Sequence, residues 1–397
     1  MDMKFSQIIP LILFVLLQSC NKNSKFLIAI ETKSKNIQMT YAPDKRVAVY
    51  DVRFDLIDGQ IIAKGATDSK KAYNELLEYI HSSNVIFKNE LRFLPDTAVG
   101  NQKFAVAKNS VINIRSLPKH SAELGTQALL GMSLKILDKE GDFYRVQTPD
   151  SYISWVDKGG IEQMDTNQFD LWNTSEKIIF TEITGFIYTT ASVESTIVSD
   201  ITLGGLLQYV NENEAFYEVK YPDNRTGFVK KEESVRYNSW LQNKIYSGEN
   251  IEKTAKKMNG FPYLWGGTST KGMDCSGFVK MAYLMNGFII PRDASQQINA
   301  GRKVNVALDF KDLEKGDLLF FGTKATIEKS QRVVHVGIWL GNKKMEFIHA
   351  SGNVHISSMD DSRMNFDDFN KNRYLGSRRY LGTPDKKIVA LGQAPQL

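Results

Sequence analysis

The chain repeats part of itself at a distance of 73 residues, and this repeat limits the folds open to its middle third. The segment Phe143-Tyr144-Arg145-Val146 returns as Phe216-Tyr217-Glu218-Val219, inside a longer stretch of matched turns and apolar positions. In both copies, short runs of alternating apolar and polar residues are separated by Gly, Asp or Asn, which is typical of antiparallel strands with one buried face. The sequence therefore predicts two consecutive all-β modules, over residues 101–165 and 166–240.

The two modules resemble bacterial SH3-like barrels. Asn113-Ile114-Arg115-Ser116 opens the first module and Ser154-Trp155-Val156 closes it. The opening of the second module, Gly185-Phe186-Ile187-Tyr188, is a degenerate version of the same motif. Two roles remain open at this point: a structural scaffold, or wall binding and substrate gating.

The N-terminus carries a targeting signal. Lys4 precedes an apolar run over residues 8–17, and Leu17-Gln18-Ser19-Cys20 follows. The run is too short to span a bilayer but has the length of the apolar region of a secretory signal. The whole segment resembles a bacterial lipoprotein signal peptide, which implies lipidation of Cys20, a membrane anchor and a site of action in the cell envelope, facing the periplasm. An ordinary signal with an incidental cysteine is the alternative.

Residues 21–100 are predicted to form a helical or mixed lead-in of unassigned function. One helix is expected where apolar residues recur at helical spacing behind two possible N-cap residues. The apolar positions are Ala72, Leu76, Leu77 and Ile80, and the possible caps are Asp68 and Ser69.

Charge and composition exclude some classes of protein. The 50 basic and 45 acidic residues give a formal net charge of only +5, without a concentrated basic stripe, so nucleic-acid binding has no support. An apolar content of 42% fits a chain with several packed cores. We expect a monomer.

Cysteine usage directs attention to Cys275. The chain has two cysteines, and lipidation of Cys20 leaves Cys275 without an intramolecular disulfide partner. Apolar residues follow it at helical spacing, at Phe278, Val279 and Ala282, while a Gly-rich segment precedes it, so a helix is expected to begin at about Asp274 or Cys275. The N-terminus of a helix favours the thiolate, and its N–H groups can receive an oxyanion. An inert buried cysteine is the alternative.

Two histidines are placed to assist this thiol. His335 and His349 lie in β-rich runs joined by a turn over residues 341–344, which predicts a hairpin that brings both side chains to one face. One histidine can accept the thiol proton while the other orients its ring. His355 is predicted to be a surface residue. A zinc site is disfavoured because the chain lacks a CxxC or HxxxH pattern, and no metal or cofactor is expected.

Residues 245–382 resemble the NlpC-type cell-wall peptidases of the papain-like superfamily. The matching motifs are Pro262-Tyr263-Leu264-Trp265-Gly266-Gly267, Asp274-Cys275-Ser276-Gly277-Phe278, Gly316-Asp317-Leu318 and His335-Val336-Gly337-Ile338. The resemblance implies an α+β papain-like domain with Cys275 as nucleophile, His335 as base and His349 as the residue that orients it. It also implies oxyanion stabilisation by Tyr263 and the Cys275 amide, and substrate contacts from Trp265, Asp274 and Ser276. Residues 383–397 are expected to form a loose tail.

Pro291-Arg292-Asp293, together with the two upstream modules, resembles the dipeptidyl-peptidase VI branch of that family. The resemblance implies that Asp293 binds the free α-amine of the substrate's L-Ala, and that an aromatic of the first module, Tyr152 or Trp155, closes the amine pocket. Ala294 stands where many members of the branch have serine. The alternative is that Asp293 only pairs with Arg292 or caps the next helix.

The branch implies hydrolysis of the γ-D-glutamyl–diamino acid bond of peptidoglycan-derived peptides, with release of L-Ala-D-Glu during murein turnover. Two other functions stay open. One is an endopeptidase that acts on intact peptidoglycan. The other is a wall-binding lipoprotein whose peptidase domain is silent.

Overall fold

The computed structural model of the chain describes residues 8–83, 85–304, 307–341 and 343–392, with side chains from Lys25 onward. These residues form two compact units, one extending to Gly100 and including Leu137–Lys139, the other containing the rest of the chain. The side chains of the predicted signal segment, Cys20 among them, lie outside the described residues. Where the structure is described, no helix is both long enough and apolar enough to cross a membrane.

The first unit is a small α/β fold. Its elements are α1 (Ile8–Tyr41), β1 (Tyr50–Ile57), β2 (Gln60–Thr67), α2 (Lys70–His81), β3 (Phe87–Phe93) and a single 3-10 turn (Thr97–Val99). Strand β1 pairs antiparallel with β2, and β2 pairs parallel with β3 across the α2 crossover.

The helix expected in this region is confirmed as α2. Ser69 is its N-cap and accepts a hydrogen bond from the Ala72 N–H, which satisfies one of the amides left unpaired at a helix start. Ala72, Leu76 and Ile80 are buried on one side of the helix. The three strands around it were not predicted individually, because their apolar runs are short.

The first repeat forms a seven-stranded antiparallel sheet. Its strands are β4 (Phe104–Ala107), β5 (Val111–Arg115), β6 (Leu124–Leu129), β7 (Ser133–Glu140), β8 (Phe143–Gln147), β9 (Ile153–Asp157) and β10 (Ile161–Met164), with a 3-10 turn (Lys158–Gly160) before the last. The order in the sheet is β10-β4-β7-β8-β9-β5-β6.

The second repeat follows α3 (Thr166–Thr174) and has the same construction. Its strands are β11 (Lys177–Phe180), β12 (Thr184–Tyr188), β13 (Ile197–Thr202), β14 (Leu206–Glu212), β15 (Phe216–Lys220), β16 (Thr226–Lys230) and β17 (Ser234–Arg236), with a 3-10 turn (Lys231–Glu233) before the last. From one edge the order is β17-β11-β14-β15-β16-β12-β13, which matches the first sheet strand for strand. The predicted internal repeat is therefore a repeat of fold.

A short helix, α4 (Tyr237–Gln242), leads into the third part of the chain. Its helices are α5 (Gly248–Lys257), α6 (Cys275–Leu284), α7 (Ala294–Gln297) and α8 (Asp368–Asn372). Its strands are β18 (Thr268–Ser269), β19 (Gly272–Met273), β20 (Phe288–Ile289), β21 (Arg302–Val304), β22 (Leu318–Thr323), β23 (Arg332–Trp339), β24 (Glu346–Ser351), β25 (Asn353–Ser358), β26 (Tyr374–Arg379) and β27 (Val389–Ala390).

Helix α6 is the centre of this α+β domain. It packs against β23 and β24 of a six-stranded antiparallel sheet with the order β21-β26-β22-β23-β24-β25, and every one of its residues is buried. A mainly apolar helix that is buried on all sides belongs inside a core, so Cys275, its first residue, is placed by the packing of α6 against the sheet.

The prediction of a loose tail is wrong for most of residues 383–391. Strand β27 pairs antiparallel with β20, and the side chain of Leu391 is buried. The carboxylate of Asp385 accepts a hydrogen bond from the Gly301 N–H at 2.7 Å. The partners of these contacts lie far away in sequence, so the local composition of residues 383–391 does not predict them.

Candidate active site

The thiol of Cys275 stands at the N-terminus of α6, where the sequence placed it. Asp274 is the N-cap residue, and its Oδ1 accepts a hydrogen bond from the Gly277 N–H at 2.7 Å. The thiol also lies at the backbone N–H of Val336, the residue after His335 in β23. Helix α6 and strand β23, which carries His335, therefore meet at this sulfur.

His335 and His349 are brought together by the hairpin of β23 and β24. His335 Nε2 lies 2.8 Å from His349 Nδ1, and both rings are buried. Gly337 makes room for this pair, since a Cβ on it would lie 3.1 Å from the Cβ of His349 and 2.8 Å from the Phe347 ring. The His–Val–Gly run of the sequence is thus explained by close packing between strands.

The carboxylate of Asp274 is fully engaged by the protein. Arg292 donates to both of its oxygens, at 3.0 and 2.6 Å, and the Gly266 N–H donates to Oδ2 at 3.0 Å. Arg292 is only 1% exposed and also donates to the Ser276 hydroxyl at 2.9 Å. Asp274 and Ser276, which the resemblance implied as substrate contacts, hold the helix start and the glycine loop in place.

Asp293 lies at the edge of this network. Its carboxylate is 3.9 Å from Arg292, much farther than that of Asp274, and it forms a capping box with Gln296 at the start of α7. Asp293 therefore makes both the ion pair and the helix cap that the sequence analysis considered for it. Its side chain is still 28% exposed, and a carboxylate has acceptor positions beyond those used in a cap.

The two candidate aromatics of the first module occupy different environments. Tyr152 packs on Gly125, where a Cβ would lie 3.0 Å from the phenol oxygen, and it is close enough to Arg292 to affect its pKa. Trp155 is buried in β9 beneath the guanidinium of Arg145, at 5.7 Å. Of the two, Tyr152 is the one that contributes to the electrostatics of Arg292.

Trp265 lies in the loop that precedes the nucleophile. Its ring is 63% exposed, and its indole N–H donates to the Glu123 carboxylate of the first module at 2.7 Å. The next residue, Gly266, has φ +77° and packs so closely on Leu124 that a Cβ would lie 2.1 Å from the Leu124 carbonyl oxygen. The contact between this loop region and the first module continues at Gln127 and Thr268, which exchange hydrogen bonds.

Burial sets the protonation states in the site. It raises the pKa of Cys275 to about 12, helped by the negative charge of Asp274 and opposed by the Val336 N–H. It lowers the pKa of His335 well below 6.5, and that of His349 to about 3, where the charge of His355 adds to the effect. Burial thus favours the neutral thiol and the neutral imidazoles, whereas the helix terminus favours the thiolate.

Tyr263 is half-buried near Cys275. Burial is the main cause that raises the pKa of its phenol to about 12, so it keeps its proton and can donate. Its backbone is fixed by a hydrogen bond from its N–H to the Gly352 carbonyl at 3.0 Å.

Sequence reasoning missed several residues around His349. Ser357 lies 2.9 Å from its Nε2, and the Asp367 carboxylate lies 3.7 Å from the same nitrogen. His355 is opposite His349 in the β24–β25 register and packs on its ring, at 4.4 Å between centroids, so it is more than a surface residue. Arg373 is near enough to lower the pKa of both His335 and His349. The even spacing of His355 and Ser357 from His349 could have indicated that these side chains lie on the same face of the β24–β25 hairpin.

In the part of the chain that the structure describes, no three His, Cys, Asp or Glu side chains are grouped to hold a metal ion. The side chains at the site itself offer a thiol, a buried imidazole pair, and phenol and amide donors.

Comparison with known proteins agrees with this arrangement. Residues 260–373 match the NlpC/P60 family model, and residues 114–161 match the model of the bacterial dipeptidyl-peptidase SH3 domain. The chain is 31% identical over 271 residues to a gamma-D-glutamyl-L-lysine dipeptidyl-peptidase of Bacillus cereus, covering 65% of this chain and 76% of that protein. It is 28% identical to dipeptidyl-peptidase 6 of Lysinibacillus sphaericus, covering 65% of this chain and 92% of the relative.

The crystal structure of an NlpC/P60 family protein from Bacillus cereus has the same fold. It superposes with a TM-score of 0.60 at 24% sequence identity, over 70% of this chain and 99% of that one. The SH3-like modules and the α+β papain-like domain predicted from the sequence are thereby confirmed. The chain belongs to the NlpC/P60 family of cysteine-type cell-wall peptidases.

Proposed function

We propose that this protein hydrolyses the bond between γ-D-glutamate and the diamino acid of cell-wall peptides that have a free N-terminal L-Ala, releasing L-Ala-D-Glu. The observation that carries the proposal is the cluster of Asp293, Arg292 and Tyr152 beside the start of α6. A partly exposed carboxylate at this place can bind an ammonium group and rejects the same nitrogen when it is acylated.

Cys275 is the nucleophile and His335 the general base. His335 Nε2 is engaged with His349, which leaves Nδ1 to take the thiol proton as sulfur attacks the γ-carbonyl carbon. Tyr263 and the backbone N–H of Cys275 stabilise the oxyanion of the tetrahedral intermediate. Collapse of the intermediate breaks the C–N bond, and the proton on His335 goes to the departing amine of the diamino acid.

The remaining thioester is then hydrolysed. Water gives a proton to His335 and its oxygen attacks the thioester carbon, and the returning proton restores the Cys275 thiol. Throughout the reaction, His349 Nδ1 accepts a hydrogen bond from the Nε2–H of His335, and the Nε2–H of His349 donates a hydrogen bond to Ser357. These two hydrogen bonds fix one tautomer of each ring.

The test uses the free tripeptide L-Ala-γ-D-Glu-L-Lys and the same peptide carrying N-acetylmuramic acid on L-Ala. The purified protein should release L-Ala-D-Glu from the first at a kcat/KM at least about 100-fold higher than from the second. Cys275→Ala should fold and show no turnover, and its retained activity would exclude Cys275 as nucleophile. Equal cleavage of both peptides would favour an endopeptidase of intact peptidoglycan, and no cleavage of either would favour a wall-binding protein.

Anchoring through a lipid on Cys20 is part of the same proposal. Cells that express the full chain should incorporate radiolabelled palmitate into the protein and retain it in the membrane fraction. Cys20→Ser should abolish both. Unchanged membrane retention of Cys20→Ser would show that the cysteine is incidental.

A further inference from the structure

The helix that carries the nucleophile is joined to the first SH3-like module by a buried ion pair. Lys280, five residues after Cys275 in α6, lies with its ammonium 2.6 Å from Oδ2 of Asp150, in the turn between β8 and β9. The two side chains are only 9% and 1% exposed. Among the residues that the structure describes, none makes a hydrogen bond of good geometry to this oxygen, so the ammonium is what compensates its charge.

The turn that presents Asp150 is tightly knit. The Thr148 hydroxyl donates to Asp150 Oδ1 at 2.5 Å, and the Thr148 N–H donates to the Tyr152 carbonyl at 3.0 Å. The Ser151 N–H donates back to Thr148, with Ser151 at φ +66°. Tyr152 is only two residues from Asp150 in this turn, so a shift of Asp150 should also move the Tyr152 side chain, which packs on Gly125 and lies near enough to Arg292 to affect its electrostatics.

Stability alone is a weak reason for this pair. It is surrounded by apolar side chains, namely Met132, Pro149, Leu284, Phe288 and Ile289. A buried ion pair in such surroundings has to offset the cost of desolvating both charges, and apolar residues of similar size would often be as stable. What a directional charge pair adds is a fixed register between two surfaces.

We propose that the Asp150–Lys280 ion pair is a positioning element that sets the specificity of the enzyme for a free N-terminal amine, by fixing the turn of the SH3-like module that carries Tyr152 near Arg292. In this proposal the first module contributes to the substrate site, and its contact with α6 determines amine recognition. The Cys–His chemistry does not depend on that contact. This inference rests on the proposed function, since it assumes that the amine is bound there.

The test measures kcat and KM separately for L-Ala-γ-D-Glu-L-Lys and for its N-acetyl derivative. Lys280→Met keeps the length of the side chain and removes its charge. It should raise KM for the free-amine peptide by about tenfold, change kcat by less than about threefold, and lower the preference for the free amine by about tenfold. Lys280→Arg should restore most of the preference.

Lys257→Met is the matched control. Lys257 pairs at 3.1 Å with Glu182 of the second module, also across a contact with the peptidase domain, but both side chains are about half exposed, at 44% and 45%. This variant should leave KM and the preference unchanged. If Lys280→Met fails to fold, the neutral pair Asp150→Asn with Lys280→Gln replaces it, and the same loss of preference is expected.

Two failures are distinguishable. A wild-type enzyme that cleaves both peptides equally well contradicts the proposed function, whatever the variants do. A wild-type enzyme that discriminates, together with a Lys280→Met variant that keeps the full preference or loses only kcat, overturns the positioning role and leaves the proposed function intact.

Discussion

Nε2 of His335 lies 2.8 Å from Nδ1 of His349, while Nε2 of His349 lies 2.9 Å from the Ser357 hydroxyl. One assignment of the protons satisfies both hydrogen bonds: His335 Nε2–H donates to His349, and His349 Nε2–H donates to Ser357. This assignment leaves Nδ1 of His335 unprotonated and able to accept a proton. In this series of hydrogen bonds, His349 accepts from His335 and would not need to carry a charge in order to orient it.

The acceptor role predicts different effects for two substitutions of His349. His349→Ala removes the acceptor and leaves the His335 ring free to turn, so kcat should fall on the order of 100-fold. His349→Asn can place its carbonyl oxygen near the position of Nδ1, so the loss should be within about tenfold. Steady-state kinetics on the tripeptide measures both. Equal losses would show that His349 contributes through its imidazole, for example as a charge.

A second prediction concerns the resting state of the nucleophile. Burial raises the pKa of Cys275 to about 12, so the thiol keeps its proton across the neutral range and loses it only as the pH approaches that value. The absorbance difference at 240 nm between the wild type and Cys275→Ser should therefore be negligible at neutral pH and grow in alkali. A thiolate signal that is already complete at pH 6 would instead indicate a preformed thiolate–imidazolium pair.

The buried histidines make a prediction about stability in acid. The folded protein lowers the pKa of His335 well below 6.5 and that of His349 to about 3. Below about pH 6.5 these histidines bind protons in the unfolded chain but stay neutral in the folded chain. The free energy of unfolding should therefore decrease as the pH falls from about 6.5 toward 3. Each histidine contributes a slope of at most about 1.4 kcal/mol per pH unit. Urea unfolding of the wild type and His349→Asn between pH 7.5 and 5 measures it, and the variant should have the shallower slope.

The ion pair of Arg292 with Asp274 gives a fourth prediction. Arg292→Met leaves a buried carboxylate without its cation and should lower the free energy of unfolding by about 3–5 kcal/mol, whereas Arg292→Met with Asp274→Asn should lose less. Lys158→Met, which breaks the exposed pair with Asp142, is the control and should change little. If the single and double variants at Arg292 are equally stable, Asp274 does not depend on this cation.

How far the sequence predicts this site depends on how local each contact is. Cys275 with its helix start, and the His335–His349 hairpin, are encoded within short segments by apolar spacing and turn residues, and both were predictable. The choice of Asp274 over the adjacent Asp293 as the partner of Arg292 depends on how α7 packs against α6, which no local pattern reveals.

The same holds for contacts between modules. Lys280 is the one charged residue of the otherwise mainly apolar helix α6, and Asp150 belongs to an ordinary turn, so neither predicts the other across 130 positions of sequence. Residues around Val389 form a strand only because β20 offers an edge. In the proposed function, specificity would depend largely on these long-range contacts, whereas the residues proposed for catalysis lie in locally encoded segments.

The seat of the first module on the peptidase domain can be tested with two glycines that share a backbone conformation. Gly260 and Gly266 have φ of +87° and +77°, but a Cβ on Gly260 meets nothing within 4 Å, while one on Gly266 would lie 2.1 Å from the Leu124 carbonyl oxygen. Gly260→Ala should cost only the backbone strain, about 1–2 kcal/mol, as measured by urea unfolding.

Gly266→Ala should cost the same strain and, in addition, push Leu124 away from the loop that carries Trp265. Since Tyr152 packs on the neighbouring Gly125, this displacement should also weaken the preference for the free-amine peptide, an effect that Gly260→Ala should not have. Comparing the two variants in both assays separates strain from displacement. If Gly266→Ala is destabilised no more than Gly260→Ala and keeps the full preference, the module can move without consequence for the substrate site, and the close contact at Leu124 only reflects packing.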